Sequence, residues 1–135
     1  MLMVKTRLGP SDIAGIGLFA DQDIPKGTVT WQFMSGYDLL LTQGEIDRLP
    51  EPARSNLRDH TYRDSGSGLY ILCVDNARFM NHAAVPNTAG IHVKGAIEGH
   101  DVATRDIKKG EELTCDYRVF DADVALKLGT GVDRT

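Results

Sequence analysis

The residues with the most chemistry in this chain fall in three short runs. They are Gly15-Ile16-Gly17 within GIGLFA (Gly15 to Ala20), Asn81-His82 within RFMNHAAVPN (Arg78 to Asn87), and Cys115 and Tyr117 within GEELTCDY (Gly110 to Tyr117). Glycine lets a backbone lie close against a ligand. A phenol oxygen can accept weak C–H contacts from an electron-poor methyl group and can orient an amine. Taken singly, each run also has an ordinary explanation. GIGL reads as a turn, Asn81-His82 as a polar pair satisfied in a loop, and Tyr117 as a packed aromatic with a bonded hydroxyl. Cys115 has no evident base or third group near it in sequence, which makes a cysteine hydrolase a remote alternative. The four histidines (His60, His82, His92, His100) do not supply ligands at metal spacing, so no metal is expected.

Together, and in this order, the three runs resemble the signature blocks of the SET-domain protein-lysine methyltransferases, across most of the chain. The resemblance implies an S-adenosylmethionine-dependent lysine N-methyltransferase, with S-adenosylhomocysteine as the product. Such an enzyme performs an in-line displacement at a carbon attached to a sulfonium. It must deliver a neutral amine, although free lysine is protonated at neutral pH. Alignment and the exclusion of water can then supply most of the acceleration.

Carried over residue by residue, the resemblance makes Asn81 and His82 cofactor-holding residues, with Arg78 ahead of them at the family position. Gly15, Ile16 and Gly17 lay their backbone against the methionine portion of the cofactor. Tyr117 becomes the active-site tyrosine, and Tyr37 and Tyr70 are weaker candidates for a second pocket tyrosine. Pro86 and Asn87 complete the central block, which in the family lies beneath the returning C-terminal segment in a knot-like crossing. That crossing is unusual among chains in general.

The departures carry information too. NHAA stands where the family usually has NHSC, so Ala83 and Ala84 replace small residues with smaller ones. Cys115 stands where Tyr or Phe is common, at a position associated with how many methyl groups fit. The smaller side chain implies room for a di- or trimethylated product. The cysteine cluster that often follows the family core is missing. The tail 118–135 carries Phe120, Leu126 and Leu128 instead, and Phe120 is a candidate cover for the adenine or the lysine channel.

Bulk properties fit this picture. The 135 residues suffice for one domain, taken here as 1–135, with one modest core. Hydrophobic content of 41% with 25% charged residues is the balance of a globular protein rather than a disordered one. A formal net charge of −4 disfavours nonspecific nucleic-acid binding and mildly favours a basic, lysine-containing peptide or protein as partner. Cys73 and Cys115 form no CxxC and suggest no disulfide framework. No signal-peptide or membrane-length apolar run is evident, so the default expectation is a cytoplasmic protein without a membrane partner. A short domain of this kind could complete its peptide groove by forming a homodimer.

The elements that must position these residues read as mostly β, the SET-domain β-clip class: several small sheets with a short helical insert and the knot-like C-terminal crossing. Strands are expected near Met3–Leu8, Leu18–Ala20, Val29–Phe33, Leu69–Val74, Ile91–Lys94, Val102–Arg105 and Glu112–Thr114. The insert spans roughly residues 42–60. Thr42 and Glu45 form a capping box, Ile46 and Leu49 follow at helical spacing, and Pro50 stops the turn. Pro52 then opens a second helix with Ala53 and Leu57 inward.

The chain also resembles itself. Ala20 to Gly27 (ADQDIPKG) and Ala103 to Gly110 (ATRDIKKG) agree at five of eight positions. Each copy reads as a strand end and a Lys-Gly turn, with a tucked isoleucine and a glycine suited to positive φ. The same unit occurs in small SAF-type β-clip binders, so a non-catalytic module binding a peptide or small ligand is the alternative function.

Overall fold

The computed structural model describes residues 1–64, 67–91 and 99–117. In chain order, β1 (Thr6–Pro10) and β2 (Ile16–Ala20) form an antiparallel hairpin. Then come β3 (Val29–Gln32), β4 (Leu39–Leu41), α1 (Gln43–Asp47), α2 (Glu51–His60), β5 (Thr61–Arg63) and β6 (Tyr70–Leu72). A 3-10 turn over Asn76–Phe79 leads into β7 (Asn81–His82), β8 (Thr88–Ile91), β9 (His100–Ala103) and β10 (Thr114–Cys115). The strands make four small sheets: β1-β2, β10-β7, β3-β9-β8 and β4-β6-β5. Among the strands of the described residues, only β10 and β7 pair in parallel.

β2 shows why IGLFA is a strand that holds the fold together. Leu18 and Ala20 are fully buried, while Phe19 points the other way and carries the Arg7 guanidinium over its ring at 5.1 Å. β1 lies along one edge of β2. On the other edge runs the segment 110–113, with Leu113 N donating to Leu18 O at 2.7 Å, Ala20 N to Glu111 O at 2.9 Å and Gly110 N to Ala20 O at 2.8 Å. Leu18, Ala20, Ile24, Met80, Ala103, Ile107, Leu113 and Cys115 form the core between these elements. Burial of this kind is worth about 1.5–3 kcal/mol for each large apolar side chain.

The repeated octapeptides meet across a local pseudo-two-fold. Ile24 N donates to Ile107 O at 2.7 Å and Ile107 N to Ile24 O at 2.8 Å, and both side chains are in the core. The exchange extends outward. Gly27 N donates to Ala103 O and Gly110 N to Ala20 O, each at 2.8 Å. Lys26 N donates to Asp106 Oδ1 at 2.8 Å, while Lys109 N donates to Asp23 Oδ1 at 2.9 Å. Four of the five residues shared by the two copies therefore have a job: alanine and isoleucine pack, aspartate caps the partner's turn, and Gly27 (φ +85°) and Gly110 (φ +95°) supply the left-handed turn.

The expected strands are present with adjusted limits. Met3–Leu8 becomes Thr6–Pro10, joined by an isolated bridge between Leu2 and Trp31, and Leu69–Val74 shortens to Tyr70–Leu72. The strand placed at Ile91–Lys94 lies earlier, at Thr88–Ile91, and residues 92–94 fall outside the described ones. β4, β5 and β7 were not foreseen; the two or three residues of each carry too little alternation to register.

The capping box forms as expected, with Glu45 N donating to Thr42 Oγ1 and Thr42 N to Glu45 Oε2. Ile46 is buried, but Leu49 is exposed and Ala53 and Leu57 are only half-buried. Pro50 caps α2 and Pro52 sits at its second position rather than its first. The capping function falls to Pro50 because its fixed φ suits the extended cap geometry, φ −63° and ψ 153°.

Cys73, just past β6, is buried, and its thiol is pushed up to about 12 from an ordinary 9.0, first by burial and then by the nearby Asp38 carboxylate. The folded thiol keeps its proton to higher pH than the unfolded one. Stability attributable to this group is intact below pH 9 and falls as pH rises from 9 towards 12. Unfolding free energies from urea titrations above pH 9 should decline by up to about 1.4 kcal/mol per pH unit from this group. Cys73→Ala should flatten that decline; equal slopes in the two proteins would remove Cys73 as its source.

Candidate active site

The segment GEELTCDY joins the other two runs. Its first half lies along β2, next to the glycine turn, and its second half is β10, lying parallel to β7 with Thr114 opposite Asn81 and Cys115 opposite His82. Ala83 N donates to Cys115 O at 2.9 Å and continues that pairing. Asn87 locks the junction. Its Nδ2 donates to Glu112 O at 2.8 Å, its Oδ1 accepts from Thr114 N at 2.9 Å, and Thr88 Oγ1 donates to Thr114 O at 2.7 Å. Asn87, Thr88 and Thr114 are buried polar residues, and these bonds satisfy them.

Beside this junction the Asn81 amide reaches into the turn between β1 and β2. Its Nδ2 lies 2.9 Å from Glu112 Oε1, 3.1 Å from Ala14 O, 3.1 Å from Ser11 Oγ and 3.4 Å from Ile16 O. Ser11 organises the turn. Its hydroxyl lies 2.8 and 2.9 Å from the two Glu112 oxygens and accepts from Ile13 N at 2.9 Å and Ala14 N at 3.3 Å. Ser11 N donates to Gly15 O at 2.9 Å. Gly15 needs its freedom at φ +47°. Gly17 is needed for a different reason: a Cβ there would fall on the Glu112 carboxylate and lie 3.0 Å from Ser11 Cβ.

His82 and Tyr117 adjoin this group. Tyr117 N donates to His82 Nδ1 at 3.1 Å, the two rings are 5.5 Å apart, and Tyr117 Oη donates to Met80 O at 2.6 Å. In this contact Nδ1 is the acceptor. Asp116 Oδ1, 3.6 Å from Nδ1, then contributes charge rather than a hydrogen bond.

The remaining expected residues are less central. Arg78 folds its guanidinium back on its own turn, donating to Val74 O at 3.1 Å and Asp75 O at 3.2 Å, and lies over the Phe79 ring at 4.8 Å. Tyr37 is in the exposed turn between β3 and β4. The Tyr70 hydroxyl donates to Gln43 Oε1 at 2.8 Å, which ties it to α1. Cys115 is buried in the core, its sulfur 3.9 Å from Asn81 O. Phe120 and the rest of the tail lie outside the described residues, as does the part of the knot-like crossing that the tail would make.

Two participants, Ser11 and Glu112, were missed from sequence. Glu112 was in view within GEELTCDY, but its partner Ser11 lies 101 positions away, and neither residue type singles itself out.

A family model described as "SET domain" matches residues 15–118. The chain belongs to the SET domain family. It is 32% identical over 128 residues to the Schizosaccharomyces pombe "Histone-lysine N-methyltransferase, H3 lysine-4 specific", with 84% of this chain and 13% of that protein covered. It is 28% identical over 125 residues to the human "Histone-lysine N-methyltransferase 2D", covering 82% of this chain and 2% of the relative. Among solved structures, a chain of the Chaetomium thermophilum Polycomb Repressive Complex 2 is similar at a TM-score of 0.67 and 25% identity. That likeness covers 93% of this chain and 17% of the other. The chain thus spans a small part of the length of these relatives.

The expected family and the mostly β fold of small sheets are borne out. SET methyltransferases use S-adenosylmethionine, and the residues of this SET domain suit its methionine end. Ala14 O, Ile16 O and the Glu112 carboxylate concentrate acceptors and negative charge beside Asn81, where a cationic ammonium and sulfonium would be favoured. Among the described residues, no group of three or more His, Cys, Asp or Glu side chains could hold a metal ion.

Proposed function

We propose that this SET domain is an S-adenosylmethionine-dependent protein-lysine N-methyltransferase acting on a basic, lysine-containing protein or peptide. The observation that carries the reading is the meeting of all three sequence runs at one place: the glycine turn, Asn81-His82 and the Glu112–Tyr117 segment within direct hydrogen-bond distance. The names of the relatives as histone-lysine methyltransferases and the formal charge of −4 support a basic substrate.

In this reading the cofactor supplies an electrophilic methyl group carried on a sulfonium. Asn81 and the carbonyls of the glycine turn bind its methionine portion. His82, which is buried, fixes the backbone of Tyr117. Tyr117, with its proton committed to Met80 O, turns its oxygen lone pairs outward to orient the lysine amine and the electron-poor methyl.

Calorimetric titration with S-adenosylmethionine tests this function. The wild-type protein should bind, and Asn81→Ala should weaken binding by roughly tenfold or more through loss of a half-buried amide among charged and backbone partners. A wild-type protein that binds no cofactor at millimolar concentration would leave the β-clip binding module, which the paired octapeptides suit, as the better account.

Cys115 extends the proposal to the product. A small residue at this position leaves room for a bulkier methylated amine, so mass spectrometry of a methylated peptide should show di- or trimethyl-lysine. A spectrum that stops at monomethyl-lysine from an active preparation contradicts that assignment.

A further inference from the structure

We propose that Glu112 is a positioning residue for the cofactor. It fixes which face of the Asn81 amide is turned to the ligand, so that Oδ1 meets the α-ammonium of the cofactor's methionine portion. The proposal rests on the function proposed above and names a residue that function did not require.

Chemistry alone decides the orientation of the amide. The Asn81 terminus that enters the turn faces Glu112 Oε1, Ala14 O and Ile16 O, none of which can donate when the carboxylate is ionised, and Ser11 Oγ, whose one proton is given to the Glu112 carboxylate. Only the nitrogen can sit there; the rotated amide would place its oxygen against three acceptors. Nδ2 has two hydrogens, and the closest of its acceptors is the charged one, at 2.9 Å. Charge-assisted bonds are roughly twice as strong as neutral ones, so Glu112 dominates the choice. Oδ1 is thereby turned away from the turn, and no described residue donates a hydrogen bond to it.

Glu112 is itself held. Ser11 Oγ lies within 2.8–2.9 Å of both carboxylate oxygens, Asn87 Nδ2 donates to the Glu112 carbonyl, and the Glu112 backbone bridges Phe19 of β2. Gly17 leaves the space the carboxylate fills. A fixed amide oxygen that receives no donor among the described residues matches an ammonium, which has three donors and no acceptor.

The test measures S-adenosylmethionine and S-adenosylhomocysteine affinities, by calorimetry, for wild type, Glu112→Gln and Ser11→Ala, with thermal melts alongside. Both ligands carry the same α-ammonium, but only the first has the sulfonium. If Glu112 acts through Asn81, Glu112→Gln weakens both ligands in parallel, by about tenfold. Ser11→Ala, which removes the other anchor and keeps the carboxylate, weakens both in parallel to a smaller degree. Cofactor KM should rise with peptide KM and kcat little changed, which general loosening of the fold would not produce.

A loss confined to S-adenosylmethionine overturns the proposal, because Glu112 would then be acting on the sulfonium charge directly. Unchanged affinities in a folded Glu112→Gln protein overturn it as well. Should Glu112→Gln fail to fold, Ser11→Ala decides on the same parallel-loss criterion. A wild-type protein that binds neither ligand removes the underlying function instead, a result separate from any difference between variants.

Discussion

Tyr117→Phe is expected to lower kcat by about 100-fold or more, while cofactor affinity stays within roughly twofold of wild type. The hydroxyl donates to Met80 O at 2.6 Å, and Met80 is buried, so the hydroxyl oxygen is oriented before any substrate arrives. A preorganised acceptor needs no rearrangement as the amine and methyl approach, and this is why its removal should appear in turnover rather than in binding. Phenylalanine keeps the ring packed against His82 and keeps the hydrogen bond donated by the backbone N–H of residue 117 to His82 Nδ1, both of which involve atoms the substitution spares. It also leaves Met80 O without its donor, which should lower stability by about 1 kcal/mol. Rapid-quench turnover with a saturating peptide, together with a melt, separates the two effects. An undiminished kcat in the folded variant would take Tyr117 out of the mechanism.

How far the sequence alone reached depends on distance along the chain. The capping box of α1 was legible because Thr42 and Glu45 are three residues apart and act on each other. The octapeptide repeat was legible as two turns, yet its meaning was not. The exchange of Asp23 and Asp106 between the turns joins residues 80 and 86 positions apart, and no local pattern encodes that. The same holds at the site. Asn81, His82 and Tyr117 stood out because the order of their runs resembles a known family. Ser11 and Glu112 act on them by folding alone. The parallel pairing of β7 with β10 is two residues long and owes its existence to Asn87 and Thr114 rather than to strand propensity.

Gly17→Ala provides the second large effect and separates the roles of the two glycines. At Gly15 the backbone has φ +47° and a Cβ would meet nothing within 4 Å, so Gly15→Ala should cost about 1 kcal/mol of stability through backbone strain alone. Gly17 has no left-handed conformation to protect; its constraint is space. A methyl group there needs the volume of the Glu112 carboxylate. Retreat of the backbone is opposed on the core side by the neighbouring Leu18, which is fully buried. The carboxylate is the softer partner, but moving it breaks its bonds to Ser11 and Asn81 together. Overpacking of this kind typically costs about 1–3 kcal/mol, and the freed Asn81 amide should weaken cofactor binding by about tenfold or more. Urea unfolding and calorimetry on the two alanine variants give the comparison. If Gly17→Ala loses no more affinity than Gly15→Ala, the carboxylate beneath the turn does not hold the site in the way its contacts indicate.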